Sequence, residues 1–256
     1  MQNPALPPAF LHLPIAHRAL HDRAAGRPEN SPGAIRAAVA AGYGIEIDLQ
    51  LSADGVAMVF HDERLDRLTG ATGWVKDHSA DDLGAIRLTD AEDGIPTLAQ
   101  VLQLVAGQVP LLIEVKDQTL TPGGCIGPLE QATATALAGY AGPVALMSFN
   151  PDSVAELSRL CPGLPRGLTT GAYDYEGYAP LPPAICDHLR AIPDYDRVGA
   201  CFISHEAKDL ARPRVAELKA QGAAILCWTI RSPEAEAEAR RYAQNVTFEG
   251  YLAARP

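Results

Sequence analysis

The stretch P-G-A-I-R-A-A-V-A-A-G-Y-G-I-E-I-D-L, Pro32–Leu49, decides how the chain is read. Pro32–Ala41 has a helical pattern: proline stands at the first position, where a missing N–H costs nothing, and Gly42 closes the last turn. Asn30 or Ser31 in front of it is the candidate N-terminal cap. Gly44–Leu49 then reads as a short buried strand. The same kind of run recurs at Leu13–His17, Ala57–His61, Leu111–Val115, Val144–Phe149, Arg166–Thr169, Cys201–Ser204 and Ile225–Ile230. Most of these runs are continuously apolar, as expected of parallel strands covered on both faces. Helical patterns lie between many of them, at Leu98–Ala106, Leu129–Ala138, Ser153–Leu160, Pro213–Gln221 and Pro233–Ala243. Eight strands in 256 residues leave about 32 residues per unit, the size of a strand–helix repeat. The expected fold class is α/β, a (β/α)8 TIM barrel, with an open doubly wound sheet as the alternative.

Two stretches break the rhythm. Two strand patterns follow one another between Ile45 and His61 with only the turn Ser52–Gly55 between them, and a polar stretch, Asp62–Pro96, comes next. The second irregular stretch, Gly171–Gly199, carries Tyr173, Tyr175, Tyr178 and Tyr195 among several prolines, either as a lid over substrate or as loop packing. Neither stretch has linker composition. The chain is therefore expected to be one domain over 1–256, with 62–96 a small insertion after the third strand.

Composition narrows the function. A content of 47% hydrophobic and 20% charged residues excludes disordered and fibrous classes. A net charge of −10 argues against nucleic-acid partners and anionic membranes. The five cysteines are widely spaced and form no C-x-x-C pair, which excludes a disulfide scaffold and a thiolate zinc site and favours a reducing compartment. The first fifteen residues lack a basic leader pattern and are broken by Pro4, Pro7, Pro8 and Pro14, and no run reaches membrane-spanning length. A cytoplasmic protein without integral membrane association is expected; nothing in the sequence encodes an oligomeric state.

Several strands end in ionisable residues: His17 and Arg18, Glu46 and Asp48, His61 and Asp62, Glu114 and Lys116. In a parallel barrel the carboxyl ends of all strands converge on one face, and residues two apart on a strand share a side. Glu46, Asp48 and Glu114 should therefore meet. Three carboxylates in one buried mouth need a compensating charge, and hard oxygen donors select Mg²⁺, Ca²⁺ or Mn²⁺, a single divalent cation. The competing reading is a set of strand-end salt bridges such as Glu114 with Lys116. His17 and His61 are the natural acid–base pair, because imidazole titrates near neutrality. His205 also follows a strand pattern and could face the site, whereas His12, His21, His78 and His188 look like surface residues. Asp62, Arg64 and Arg67 read as an ion-pair network that orients His61, and Asn30 and Ser31 as helix caps rather than ligands.

Six blocks stand in order along the chain: H-R-A (His17–Ala19) followed by P-E-N-S (Pro28–Ser31), E-I-D-L-Q-L-S-A-D-G (Glu46–Gly55), and H-D-E-R-L-D-R (His61–Arg67). I-P-T-L (Ile95–Leu98), E-V-K (Glu114–Lys116) and W-T (Trp228–Thr229) complete the order. Together these motifs resemble the glycerophosphodiester phosphodiesterase family. The resemblance implies Glu46, Asp48 and Glu114 as metal ligands, His17 and His61 as acid and base, Arg18 and Lys116 as phosphate-holding cations, and Trp228 as a pocket wall. It implies a small-molecule phosphodiester substrate, hydrolysed to glycerol 3-phosphate and an alcohol. Lysophospholipid hydrolysis and a non-catalytic phosphodiester-binding barrel are the alternatives. The sequence departs from the family pattern at Ala19, where glycine is usual, in a longer stretch before Pro28, and in T-F-E-G (Thr247–Gly250), where T-D-x-P is usual.

Overall fold

In the computed structural model, which describes residues 4–118 and 125–255, parallel strands close on themselves as a barrel. Residues 1–3, 119–124 and 256 of the expected 1–256 domain lie outside the described residues. The strands are β1 (Ile15–Ala16), β2 (Gly44–Leu51), β3 (Ala57–Val59), β4 (Leu111–Val115), β5 (Val144–Ser148), β6 (Arg166–Thr170), β7 (Phe202–Glu206), β8 (Ala224–Ile230) and β9 (Asn245–Phe248). All but β3 run parallel, and β1 pairs with both β2 and β9 to close the ring of eight. The helices are α1 (Ala9–His12), α2 (Pro32–Ala41), α3 (Ala80–Ala85), α4 (Leu98–Val105), α5 (Pro128–Leu137), α6 (Pro151–Leu160), α7 (Pro183–Ala191), α8 (Pro213–Ala220) and α9 (Pro233–Ala239). No helix among the described residues is long and apolar enough to cross a membrane.

The barrel fold is as the sequence predicts, but its membership differs in two strands. The run at Ala57–His61 forms β3, which lies antiparallel to β2 and outside the ring. Four turn residues cannot carry a parallel crossover, which needs a dozen or more, so Ser52–Gly55 makes a hairpin, with Gly55 at φ +80. The eighth barrel strand is β9, whose Asn245–Phe248 alternates polar and apolar residues and so does not stand out as a run. The insertion at 62–96 does follow the third strand of the chain, inside the β2–β4 connection. It has its own small core, in which Met58, Phe60, Leu65 and Leu83 are buried.

Alternation sets what faces the barrel axis. Ile15, Leu112, Ala145, Phe202 and Leu226 fill the lower interior, and Phe10 of α1 plugs it from below. Each of the larger of these side chains, Ile15, Leu112, Phe202, Leu226 and Phe10, contributes about 1.5–3 kcal/mol when fully buried. Gly167 on β6 makes room for the Phe202 ring, which would lie 2.5 Å from a Cβ at that position. The alternate residues of β2 and β4, Ile45, Ile47 and Ile113, point outward against the helices. Helix starts follow the sequence signals: the Ser31 hydroxyl accepts from the Ala34 N–H, and Thr97 and Gln100 form a reciprocal cap on α4.

Candidate active site

The register that closes the barrel also assembles the site. Asp48 on β2 lies directly across from Glu114 on β4, and Glu46 faces inward two residues earlier. One ligand atom from each of the three carboxylates lies within 4.8 Å of the others, and all three residues are buried. β1 is held between β2 and β9, so His17, the next residue, enters the mouth beside them. His61 arrives by the β2–β3 hairpin, which runs back along β2: the Phe60 N–H donates to the Asp48 carbonyl at 3.0 Å, and the Gln50 amide donates to the His61 carbonyl at 3.0 Å. All eight residues singled out from the sequence, His17, Arg18, Glu46, Asp48, His61, Glu114, Lys116 and Trp228, line one cavity of about 210 Å³.

The three carboxylates of this cavity are unevenly compensated by its cations. Lys116 Nζ bridges Asp48 at 2.8 Å and Glu114 at 2.6 Å. Burial alone would depress its pKa, but the two carboxylates hold it above the usual lysine range. Burial would likewise raise Asp48, yet Lys116, His61 and Arg18 hold it well below the carboxylate range. Glu46 is the uncompensated member. Its carboxylate accepts the Arg18 backbone N–H at 2.8 Å, while burial and the repulsion of Asp48 and Glu114 push its pKa well up. The salt-bridge reading of Glu114 with Lys116 is thus present in the structure but, among the described residues, gives Glu46 no ion pair of its own. A cluster of three hard-oxygen donors, one of them without an ion-pair partner, fits a divalent cation.

Both histidines are oriented by a carboxylate. His17 Nδ1 donates to Glu249 Oε2 at 2.5 Å, and His61 Nδ1 donates to Asp62 Oδ1 at 2.7 Å. A carboxylate can only accept, so the shared proton stays on Nδ1 and Nε2 is left to exchange a proton. Burial lowers the His17 pKa, with Glu249 opposing it, which favours the neutral ring. Glu249 is in turn held ionised by His17 and His21, with Arg231 adding to them. Glu249 comes from the T-F-E-G block: β9 pairs with β1 so that the residue after Phe248 falls beside His17.

Other expectations resolve in detail. Asp62 and Arg67 form the predicted network, and it extends further: Arg67 reaches Glu29 at 2.8 Å, and Glu29 accepts from Arg18 at 2.8 Å. Arg64 is not part of it; it pairs with Asp66 and lies over the Trp74 ring. Ser31 is a cap, but Asn30 is not: its amide donates to Asp48 Oδ2 at 2.9 Å from a left-handed backbone, φ +59. Ala19, at the usual glycine position, also adopts a left-handed backbone, φ +65, and its N–H donates to the Glu46 carbonyl. His205 points away from the cavity, buried on the outer face of β7 against Thr170 and Asp209. His21 is not a remote surface residue, since its ring lies 3.7 Å from Glu249. Of the tyrosines, Tyr173 and Tyr195 are buried and Tyr175 is exposed. Three buried hydroxyls in the cavity wall, of Thr169, Ser204 and Thr247, have no hydrogen-bond partner among the described residues. These hydroxyls gave no sequence signal, because an isolated Ser or Thr in a strand-length run is unremarkable.

Residues 17–247 match the glycerophosphoryl diester phosphodiesterase family. A glycerophosphodiester phosphodiesterase of Bacillus subtilis is 33% identical over 47% of this chain and 47% of its own length. One of Caldanaerobacter subterraneus is 34% identical over 61% of this chain and 65% of its own length. The chain thus matches about half to two thirds of these relatives. Among solved structures, an Oleispira antarctica phosphodiesterase in complex with sn-glycerol 3-phosphate superimposes with a TM-score of 0.73 at 23% identity, covering 94% of each chain. A glycerophosphoryl diester phosphodiesterase structure from Silicibacter pomeroyi gives a TM-score of 0.74 at 22% identity, covering 94% of this chain and 93% of that one. At these identities the structural likeness speaks to the fold.

Proposed function

Because this chain belongs to the glycerophosphoryl diester phosphodiesterase family, we propose that it hydrolyses glycerophosphodiesters to glycerol 3-phosphate and a free alcohol. The observation that carries this reading is the pairing of two carboxylate-oriented histidines with a buried three-carboxylate cluster around one cavity. The glycerol 3-phosphate held by the Oleispira antarctica enzyme supports the product class.

Glu46, Asp48 and Glu114 would hold a divalent cation, Mg²⁺, Ca²⁺ or Mn²⁺ by the hardness of its donors. When bound, such an ion polarises the phosphoryl oxygens. Arg18 and Lys116 would hold the remaining oxygens through charge-assisted hydrogen bonds, strongest as negative charge builds in the transition state. One histidine takes a proton at Nε2 from the attacking hydroxyl, of water or of the substrate's own glycerol. The other gives a proton to the departing alkoxide. Glu249 and Asp62 keep each ring in the tautomer that permits this, and the Trp228 ring walls the pocket while its indole N–H donates to the Ser204 carbonyl at 3.0 Å. The five free cysteines are consistent with a reducing, cytoplasmic setting.

The test is turnover of glycerophosphocholine before and after chelation. Activity should vanish with EDTA and return with Mg²⁺, Ca²⁺ or Mn²⁺; full activity in thoroughly demetallated protein would remove the cation from the mechanism.

A further inference from the structure

A second chamber opens beside the catalytic cavity, at the carboxyl ends of β4, β5 and β6, with a volume of about 470 Å³. Its walls are apolar: Phe149 and Pro151 on one side, Tyr173 and Tyr178 above, and Ile185 and Leu189 from α7. Such a volume lies within the range of about 300–1,000 Å³ usual for small-molecule pockets. Polar groups also line it: Arg197 is bound by Asp194 at 2.6 Å and Asp152 at 3.0 Å, with Asn150 and His188 beside them. Phe149 lines both spaces, and its ring meets the Trp228 ring edge-on at 5.5 Å. Asp117, next in the chain to Lys116, also reaches the chamber.

We propose that this chamber selects glycerophosphodiesters whose leaving alcohol carries an apolar body, such as an alkyl chain; the inference rests on the hydrolase reading above. The two halves of the substrate make opposite demands. The glycerol half brings hydroxyls, which need polar partners, and the catalytic cavity has a polar wall that includes the unpartnered hydroxyls of Thr169, Ser204 and Thr247. The chamber's apolar walls, Phe149, Pro151, Ile185 and Leu189, offer those hydroxyls no partner, but they bury methylene groups favourably. In the reaction, the bond from phosphorus to the alcohol oxygen breaks, the attacking oxygen bonds to phosphorus, and the alcohol leaves with a proton into the apolar space. Phe149, Tyr178, Ile185 and Leu189 are thereby specificity-determining residues.

The experiment compares kcat/KM for glycerophosphoesters of ethanol, butanol and octanol, kept below their aggregation concentrations, with 1-acyl-glycerophosphoethanol as a separate arm. The octyl ester should exceed the ethyl ester at least about tenfold, since each buried methylene adds favourable transfer free energy. Leu189→Glu, which places a charge in the chamber, and Leu189→Trp, which fills it, should each bring that ratio to within about twofold of one. The two substitutions act by different physics, so agreement between them does not depend on either one's effect on folding. An octyl-to-ethyl ratio near one in the wild type overturns the proposal, as does a ratio that survives both variants or a gain seen only in the acyl-glycerol arm. Cleavage of none of these esters would instead overturn the hydrolase reading on which the proposal rests.

Discussion

Glu249 shows how much a single side chain contributes to a histidine. It accepts from His17 Nδ1 with one carboxylate oxygen and from Arg231 with the other, at 2.8 Å, so the ring is held in one tautomer and one orientation. Glu249→Gln keeps the shape, but its amide can donate to Nδ1 and so move the ring proton to Nε2. We expect kcat to fall roughly 10–100-fold with little change in KM, and Glu249→Asp to recover part of the loss. A Gln variant with native kcat would make Glu249 a closing-turn residue and nothing more. Glu46 gives a different prediction, about charge. Its pKa in the folded state lies above the unfolded value, so its ionisation at neutral pH opposes folding, and that opposition disappears below the ordinary carboxylate range near about 4.3. In chelator at pH 8, Glu46→Gln should therefore melt higher than the wild type, by about 2–4 °C for each kcal/mol relieved. The difference should shrink to nothing as the pH approaches 4, while added Mg²⁺ should stabilise the wild type more than the variant. A variant that melts lower in chelator at pH 8 would mean the protein already satisfies this carboxylate.

Among the elements, the β2–β3 hairpin and the insertion behind it carry the second histidine. β2 supplies Glu46 and Asp48 as a rigid barrel strand, whereas His61 depends on a strand that pairs along only three residues. That strand is backed by the insertion's core, in which Leu83 of α3 is fully buried. Leu83→Ala leaves a cavity there and should cost about 2–5 kcal/mol locally. Because the three carboxylates stand on β2 and β4, cation affinity measured by titration should stay near native while kcat falls. Loss of cation affinity in step with kcat would show instead that the insertion supports the whole mouth. The same dependence explains the chain His61–Asp62–Arg67–Glu29–Arg18: the insertion is tied back to the first loop by ion pairs at the position where it delivers the histidine.

At the scale of the whole molecule, the barrel separates stability from chemistry along its axis. Its lower end is sealed by α1, whose Phe10 fills the interior, and the seal is held by Asn245 of β9. The Asn245 amide, itself buried, donates to the buried Phe10 carbonyl at 2.8 Å and to the half-buried Leu13 carbonyl at 2.6 Å. Asn245→Leu removes both donors and strands the buried Phe10 carbonyl, at a cost of about 1–3 kcal/mol. The melting temperature should drop while kcat per folded molecule stays native. A matching loss of kcat would mean that the two ends of the barrel are coupled. Conversely, if the proposed mechanism holds, changes at the mouth should alter turnover more than stability.

The sequence by itself determined the fold class and the inward-facing groups. Helix caps, strand-length apolar runs and the two-residue parity of Glu46 with Asp48 and of Glu114 with Lys116 are local properties, fixed by backbone periodicity. The tertiary structure alone decided which strands close the ring, the reversal that takes β3 out of it, and the partners of the histidines and of Asp48. Asn30 could be told from a helix cap only once β2 lay beside it. Glu249 lies 232 residues from His17, and no periodicity spans that separation; only the pairing of the first strand with the last brings them together. The apolar chamber is of the same kind, because its walls come from three strand ends and α7, each unremarkable alone. Side-chain chemistry is written residue by residue, but the field that acts on each group is set by neighbours that the closed barrel supplies.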